Sequence, residues 1–188
     1  MLKYFSGGDV NKTIIIWDVK ACPIPEGLDS YDIWKNVQKS LSNIGYPTTH
    51  ILEFRAYCDY FLTDDSRPSG PYIPLMHASS GDSKEAEDER RKKILVELLC
   101  EAGENRSRMN LLLIIGDVSE QTQFMRALKF LKEAKPHNVF LALPRPPSSE
   151  DLVATVREVW LWETLAVGGY PMGYIPSEDD SDYDSSDD

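Results

Sequence analysis

TIIIWDVKACPIP, Thr13 to Pro25, runs four apolar residues into an aspartate and then meets two prolines. A short β-branched run of this kind reads as a central strand buried on both faces. Pro23 and Pro25 lack the ladder donor, so the strand must stop near Asp18. A second stretch, MNLLLIIGD, repeats the design and ends in Asp117.

Between and after these two strands, helical and strand patterns alternate. Ile33, Trp34, Val37, Leu41 and Ile44 recur at spacings of three and four, with Ser30 as the expected N-cap and Gly45 as the stop. HILEFRAY reads as a strand and YIPLMHA as a short one. Ile94, Leu95, Leu98 and Leu99 mark an amphipathic helix, FMRALKFLKEA another, and NVFLALP a strand. SSEDLVATVREVWLWETLAVGG reads as one closing helix, with Ser148 and Asp151 as a capping box. This order predicts an α/β fold with a mainly parallel, doubly wound sheet. Ligands of such sheets sit beyond the carboxyl ends of the strands, where Asp18 and Asp117 are delivered.

The net charge of −11 is uneven: SEDDSDYDSSDD at the C-terminus holds seven acids and no base, which leaves −4 on the remainder. That balance gives no overall basic footprint for nucleic acid, though a local basic groove stays open. The residues divide into an arm (1–12), one domain (13–171) and an acidic tail (172–188) too polar to fold by itself. Three widely separated cysteines give neither a disulfide framework nor zinc spacing, and TIIIW is too short to span a bilayer. A soluble intracellular protein of cytoplasm or nucleus is expected, with no membrane association.

Carboxylates that converge at one point need a cation, and hard oxygen donors suit Mg²⁺ or Mn²⁺. WDVKACPIP, GYP, RAYCDY, YIPLMH, RKKILVELL, LIIGDVSEQTQFMRAL and WLWETLAVGGYP occur in an order that resembles the NYN branch of the PIN-like nucleases. The likeness is closest to plant proteins similar to the meiosis regulator and mRNA stability factor (limkain-b) family, and covers Thr13 to Pro171. It implies a three-layer PIN-like fold and a metal-dependent endoribonuclease site of about four acids. It also implies single-stranded RNA or an RNA-processing protein as partner, and a possible NYN dimer. Peroxisomes enter only by family analogy, without a terminal S-K-L here to support them.

Carried over position by position, Asp18 and Asp117 are the surviving ligands, both catalytic and metal-binding. The Glu-Asn after the first acid is Lys20-Ala21, the acid that opens the K-K-I-L-V helix is Arg91, and the fourth acid falls on Ser119 or Gln123. A cation in a metal site repels the metal, so the expectation is weak or no nuclease activity. The alternatives are an active enzyme in which Asp88 or Glu120 assists, and a scaffold working through its acidic tail. Glu87 and Asp88 stand one helical turn before Arg91. In the run Arg90 to Lys93, Arg90, Arg91 and Lys92 are candidates to track an RNA backbone, against a solvated helix start as the plainer reading. His77 and Asp59 are lesser candidates for the same rim. Trp160 and Trp162 fall on different faces of the expected helix, and Cys22 has no base within sequence reach. Ser177, Ser181 and Ser185 each precede an acid by three residues, a pattern that suits an acid-directed kinase.

Overall fold

The computed structural model of the chain describes residues 12–46, 51–58, 73, 75–77, 83–105, 107–133 and 137–176. Residues 1–11, Asp59 and the tail serines lie outside the described residues, as does the side chain of His77. Among the described residues, six strands form one parallel sheet: β1 (Lys12–Asp18), β2 (Ile51–Cys58), β3 (Leu75–His77), β4 (Asn110–Ile114), β5 (Asn138–Leu143) and β6 (Glu158–Leu161). Their order is β3-β2-β1-β4-β5-β6. The chain winds outward from β1 to one edge, returns to β4 and winds outward to the other. The reversal falls between β1 and β4, which is where an open α/β sheet forms its ligand crevice.

The two-residue period of the strands sorts side chains between two cores. Ile14 and Ile16 of β1 join Leu111 and Leu113 beneath α2 (Lys84–Glu104), α3 (Thr122–Glu133) and α4 (Glu150–Thr155). Ile15 and Trp17 join Leu112 and Ile114 on the opposite face, beneath α1 (Ser30–Asn43) and α5 (Trp162–Ala166). Continuing the alternation, Asp18 belongs to the α2 face. Every residue of β4 and β5 is buried, as the continuous apolar runs required.

Two local expectations change. Asp29, not Ser30, caps α1, in a reciprocal box with Asp32: each side chain accepts from the other's backbone N–H, at 2.9 and 3.1 Å. The expected closing helix is instead a one-and-a-half-turn helix, an edge strand and a short helix. Val159 faces one core while Trp160 and Trp162 share the other, because alternation places residues two apart on the same side. A helix would have split the two tryptophans. Trp160 packs edge-on against Phe140, and Trp162 lies 5.3 Å from Trp17.

Candidate active site

The crevice between β1 and β4 is built from three loops and one helix. On its β1 side, Lys20 to Pro25 are pinned by two indoles: Trp17 Nε1 donates to Cys22 O and Trp162 Nε1 to Pro23 O, both at 2.7 Å. Asp18 Oδ1 accepts from the backbone N–H groups of Lys20 and Ala21 at 3.1 and 3.3 Å. The aspartate thus closes its own turn, the structural role that competes with ligation. Cys22 is buried, and burial together with Asp18 pushes its thiol up, away from the nucleophilic thiolate.

Asp18 is only 1% exposed, and the cation beside it comes from α2. Ala86, Arg90, Ile94, Leu98 and Ala102 recur every four residues and are the buried stripe of that helix. Arg90 therefore takes the core-facing position one turn before Ile94. Its Nε stands 3.7 Å from Asp18 Oδ1, an ion pair enclosed by the fold. Burial pushes the Asp18 carboxyl upward; Arg90, the two backbone donors and Arg91 pull the other way without cancelling it. Arg90, expected from the sequence to track RNA, is 3% exposed and turned toward Asp18. Arg91 and Lys92 keep partial or full access to solvent.

Arg91 enters the crevice from the same helix. A methyl group on Gly116 would stand 3.0 Å from Arg91 Nη2 and 3.7 Å from Ala21 Cβ. The guanidinium is thus lodged where the β1 and β4 turns meet, beside two small residues. Its Nη2 pairs with Glu87 Oε1 at 2.5 Å, one turn back along α2.

Across the crevice, Asp117 is committed to donors of its own. Oδ1 accepts from Ser119 N at 2.8 Å; Oδ2 accepts from Ser148 N at 2.9 Å and from Ser148 Oγ at 2.6 Å. Burial raises this carboxyl, but the Ser148 and Ser119 hydrogen bonds outweigh it and hold the pKa at about 2. Ser148 is consequently not the cap of α4 that the sequence suggested: Ser149 holds that position without a side-chain cap bond. A cavity of about 410 Å³ lies over Asp117, lined by Ser119, Glu120 and Ser148, with Lys84, Asp88 and Arg91 from α2. A neighbouring one of about 260 Å³ is lined by Asp88, Arg91, Lys92 and Gln123. Asp88, Asp117 and Glu120 therefore share a cavity, whereas Asp18 lines neither.

This donor set does not fit a divalent cation. Asp18 faces Arg90, Asp117 already accepts three hydrogen bonds, and Arg91 lies in the crevice. Among the described residues, no group of three or more His, Cys, Asp or Glu side chains is gathered to hold a metal.

Replacing Ser148 by alanine is expected to release the Asp117 carboxyl from about 2 toward its ordinary range. A depressed folded-state pKa contributes stability above the unfolded value and loses it as pH falls. Because Asp117 is only partly buried, the loss at pH 7 should be on the order of 1 kcal/mol. Urea titrations should show that deficit shrinking toward pH 3; an equal deficit at both pH values would contradict the assignment.

Among the described residues, no helix is long and apolar enough to cross a membrane. No curated protein sequence matches the chain. The family model for the NYN domain matches residues 12–160, from the first residue of β1 into β6. That span contains the whole crevice, with both aspartates and both arginines. The chain belongs to the NYN-domain family, within the PIN-like nuclease lineage.

Proposed function

We propose that this NYN domain acts in RNA metabolism by holding single-stranded RNA, or an RNA-processing partner, without cutting it. The observation that carries this reading is the buried pair of Arg90 with Asp18. In the metal-dependent relatives an acid at this place needs a cation; here the polypeptide supplies the cation itself. Arg91, at the position of a second family acid, adds a fixed positive charge to the same crevice. RNA contact would then fall to Arg91, Lys92, Lys93 and Lys84 along the exposed start of α2, through phosphate contacts that carry no sequence information.

A second reading starts from Asp88, Asp117 and Glu120 lining one cavity, although they are not gathered as a metal-binding group: a displaced acidic site that still cleaves with Mg²⁺ or Mn²⁺. Labelled single-stranded RNA separates the two. On the first reading, the full chain retains RNA equally in EDTA and in Mn²⁺, releases no fragments, and binds several-fold less tightly as Lys92→Ala/Lys93→Ala. Weakening of that size, and its dependence on salt, follow from the loss of two phosphate contacts. Mn²⁺-dependent fragments that vanish in both Asp117→Asn and Asp88→Asn would establish the second reading instead. Absence of RNA retention in every condition would leave partner binding as the surviving part of the proposal.

A further inference from the structure

Ser148 stands at a point where one covalent change would act directly on the crevice. It is exposed, in the connection between β5 and α4, and residues 144–146 before it are exposed as well. Its hydroxyl donates to Asp117 at 2.6 Å and shares a 2.9 Å hydrogen bond with the Ser119 hydroxyl. Arg145 precedes it by three residues and Asp151 follows it by three, so determinants for base-directed and acid-directed serine kinases are both present. The cavity that Ser148 lines, about 410 Å³, also receives Lys84 and Arg91.

We propose that Ser148 is a phosphoacceptor whose phosphate is clasped by Lys84 and Arg91, filling the cavity beside Asp117. In the modification, Ser148 Oγ attacks the γ-phosphorus of ATP held by a kinase. An O–P bond forms, the bond from that phosphorus to the β,γ-bridging oxygen breaks, ADP departs, and the hydroxyl proton passes to the kinase's base. The hydroxyl donor to Asp117 is replaced by a group of charge about −1.5 to −2. The phosphate then shares the cavity with Asp117, Asp88 and Glu120, and the cations that line it are Lys84 and Arg91. Arg91 has a partner to exchange: the Glu87 side chain is 43% exposed, so their pair is screened, whereas a guanidinium and a phosphate form a bidentate, charge-assisted contact. The clasp would withdraw Lys84 and Arg91 from any RNA. That consequence rests on the RNA reading above; the clasp itself does not.

The test begins with the full chain, ATP and either an acid-directed or a base-directed serine kinase, followed by mass-spectrometric mapping. Phosphate on the Ser148 peptide in either reaction, absent from Ser148→Ala, is the expected result. Ser177, Ser181 and Ser185 serve as the positive control for the acid-directed enzyme, and modification confined to them, with none at Ser148 from either kinase, overturns the proposal. Chains carrying genetically encoded phosphoserine at 148 then test the clasp by thermal unfolding. The phosphate should leave the melting midpoint unchanged or raised in the otherwise native chain, and lower it by several degrees in Lys84→Ala/Arg91→Gln. Equal shifts in both backgrounds overturn the clasp. Retention of single-stranded RNA should fall by about tenfold on phosphorylation, as expected when phosphate contacts are lost. An unmodified chain that holds no RNA would refute the proposed function while the melting comparison still decides the clasp.

Discussion

Arg90→Ala is expected to destabilise the domain by about 3–5 kcal/mol, the usual consequence of stripping one partner from an enclosed ion pair. Asp18, 1% exposed in the native fold, would keep its two backbone donors but lose the cation paired with it. Asp18→Asn alone should also be costly, since it leaves the Arg90 guanidinium buried beside a neutral group. Arg90→Met/Asp18→Asn removes both charges and keeps apolar volume on the stripe with Ile94 and Leu98. It should recover most of the loss, because a buried pair often contributes little over an apolar replacement. Equilibrium urea unfolding of wild type, Arg90→Met, Asp18→Asn and the double variant closes the cycle. A double variant as unstable as the sum of the singles would show that the two residues do not act as a pair.

The pH dependence of that cycle has a definite sign. The folded-state pKa of Asp18 is raised, so its ionised form opposes folding above that value and the opposition fades as pH falls through it. Removing Arg90 removes one of the influences that hold the pKa down. The gap between wild type and Arg90→Ala should therefore narrow on acidification. Asp117 works in the opposite sense, contributing stability at neutral pH that disappears only as the solution approaches pH 2. Two aspartates at and just beyond the ends of neighbouring strands thus carry opposite linkage, one buried away from solvent and the other held by three hydrogen bonds.

Much of this arrangement could be read in the residues. Apolar runs ending in acids give the strands, their direction and the rim where Asp18 and Asp117 stand. The order of elements gives the parallel sheet, and the helix period gives α1 and α3. Arg90 was harder: within the run Arg90 to Lys93 it looks solvated, yet it stands four residues before Ile94, in register with the buried stripe. Reading that register through the charged run would have found it. The contact of Ser148 with Asp117 spans 31 residues and brings together two loops, so no local pattern could carry it. The edge strand β6 was concealed because its four residues are flanked by helix-compatible sequence, and only the shared side of Trp160 and Trp162 distinguishes the period. Gln123 and Ser119, the two candidates for the lost fourth acid, are separated by the structure: Ser119 touches Asp117 through its N–H, while Gln123 lines the neighbouring cavity.

The second large effect expected from the proposed function is the creation of a metal site by placing acids where the family resemblance puts them and removing Arg90. A chain carrying Lys20→Glu, Arg90→Ala, Arg91→Asp and Ser119→Asp would present acids around the β1–β4 crevice and remove the two α2 cations that crowd it. Without metal, this chain should be markedly less stable than wild type, because the carboxylates repel one another and Asp18 has lost its pair. With Mn²⁺ it should be stabilised by about 2.7 kcal/mol when the ion is a hundredfold above its dissociation constant. Wild type should show no comparable shift, since Arg90 already occupies the place of the counter-ion. Melting curves with and without Mn²⁺ read this directly, without any assay of cleavage. Cutting of single-stranded RNA is a further expected gain, and it should disappear when Asp18→Asn is added. If wild type gains as much stability from Mn²⁺ as the reversed chain, the arginines are not surrogates for the cation. The acids of the neighbouring cavity would then have to be the metal site. If only the reversed chain responds, Arg90 and Arg91 account for the altered chemistry of this domain.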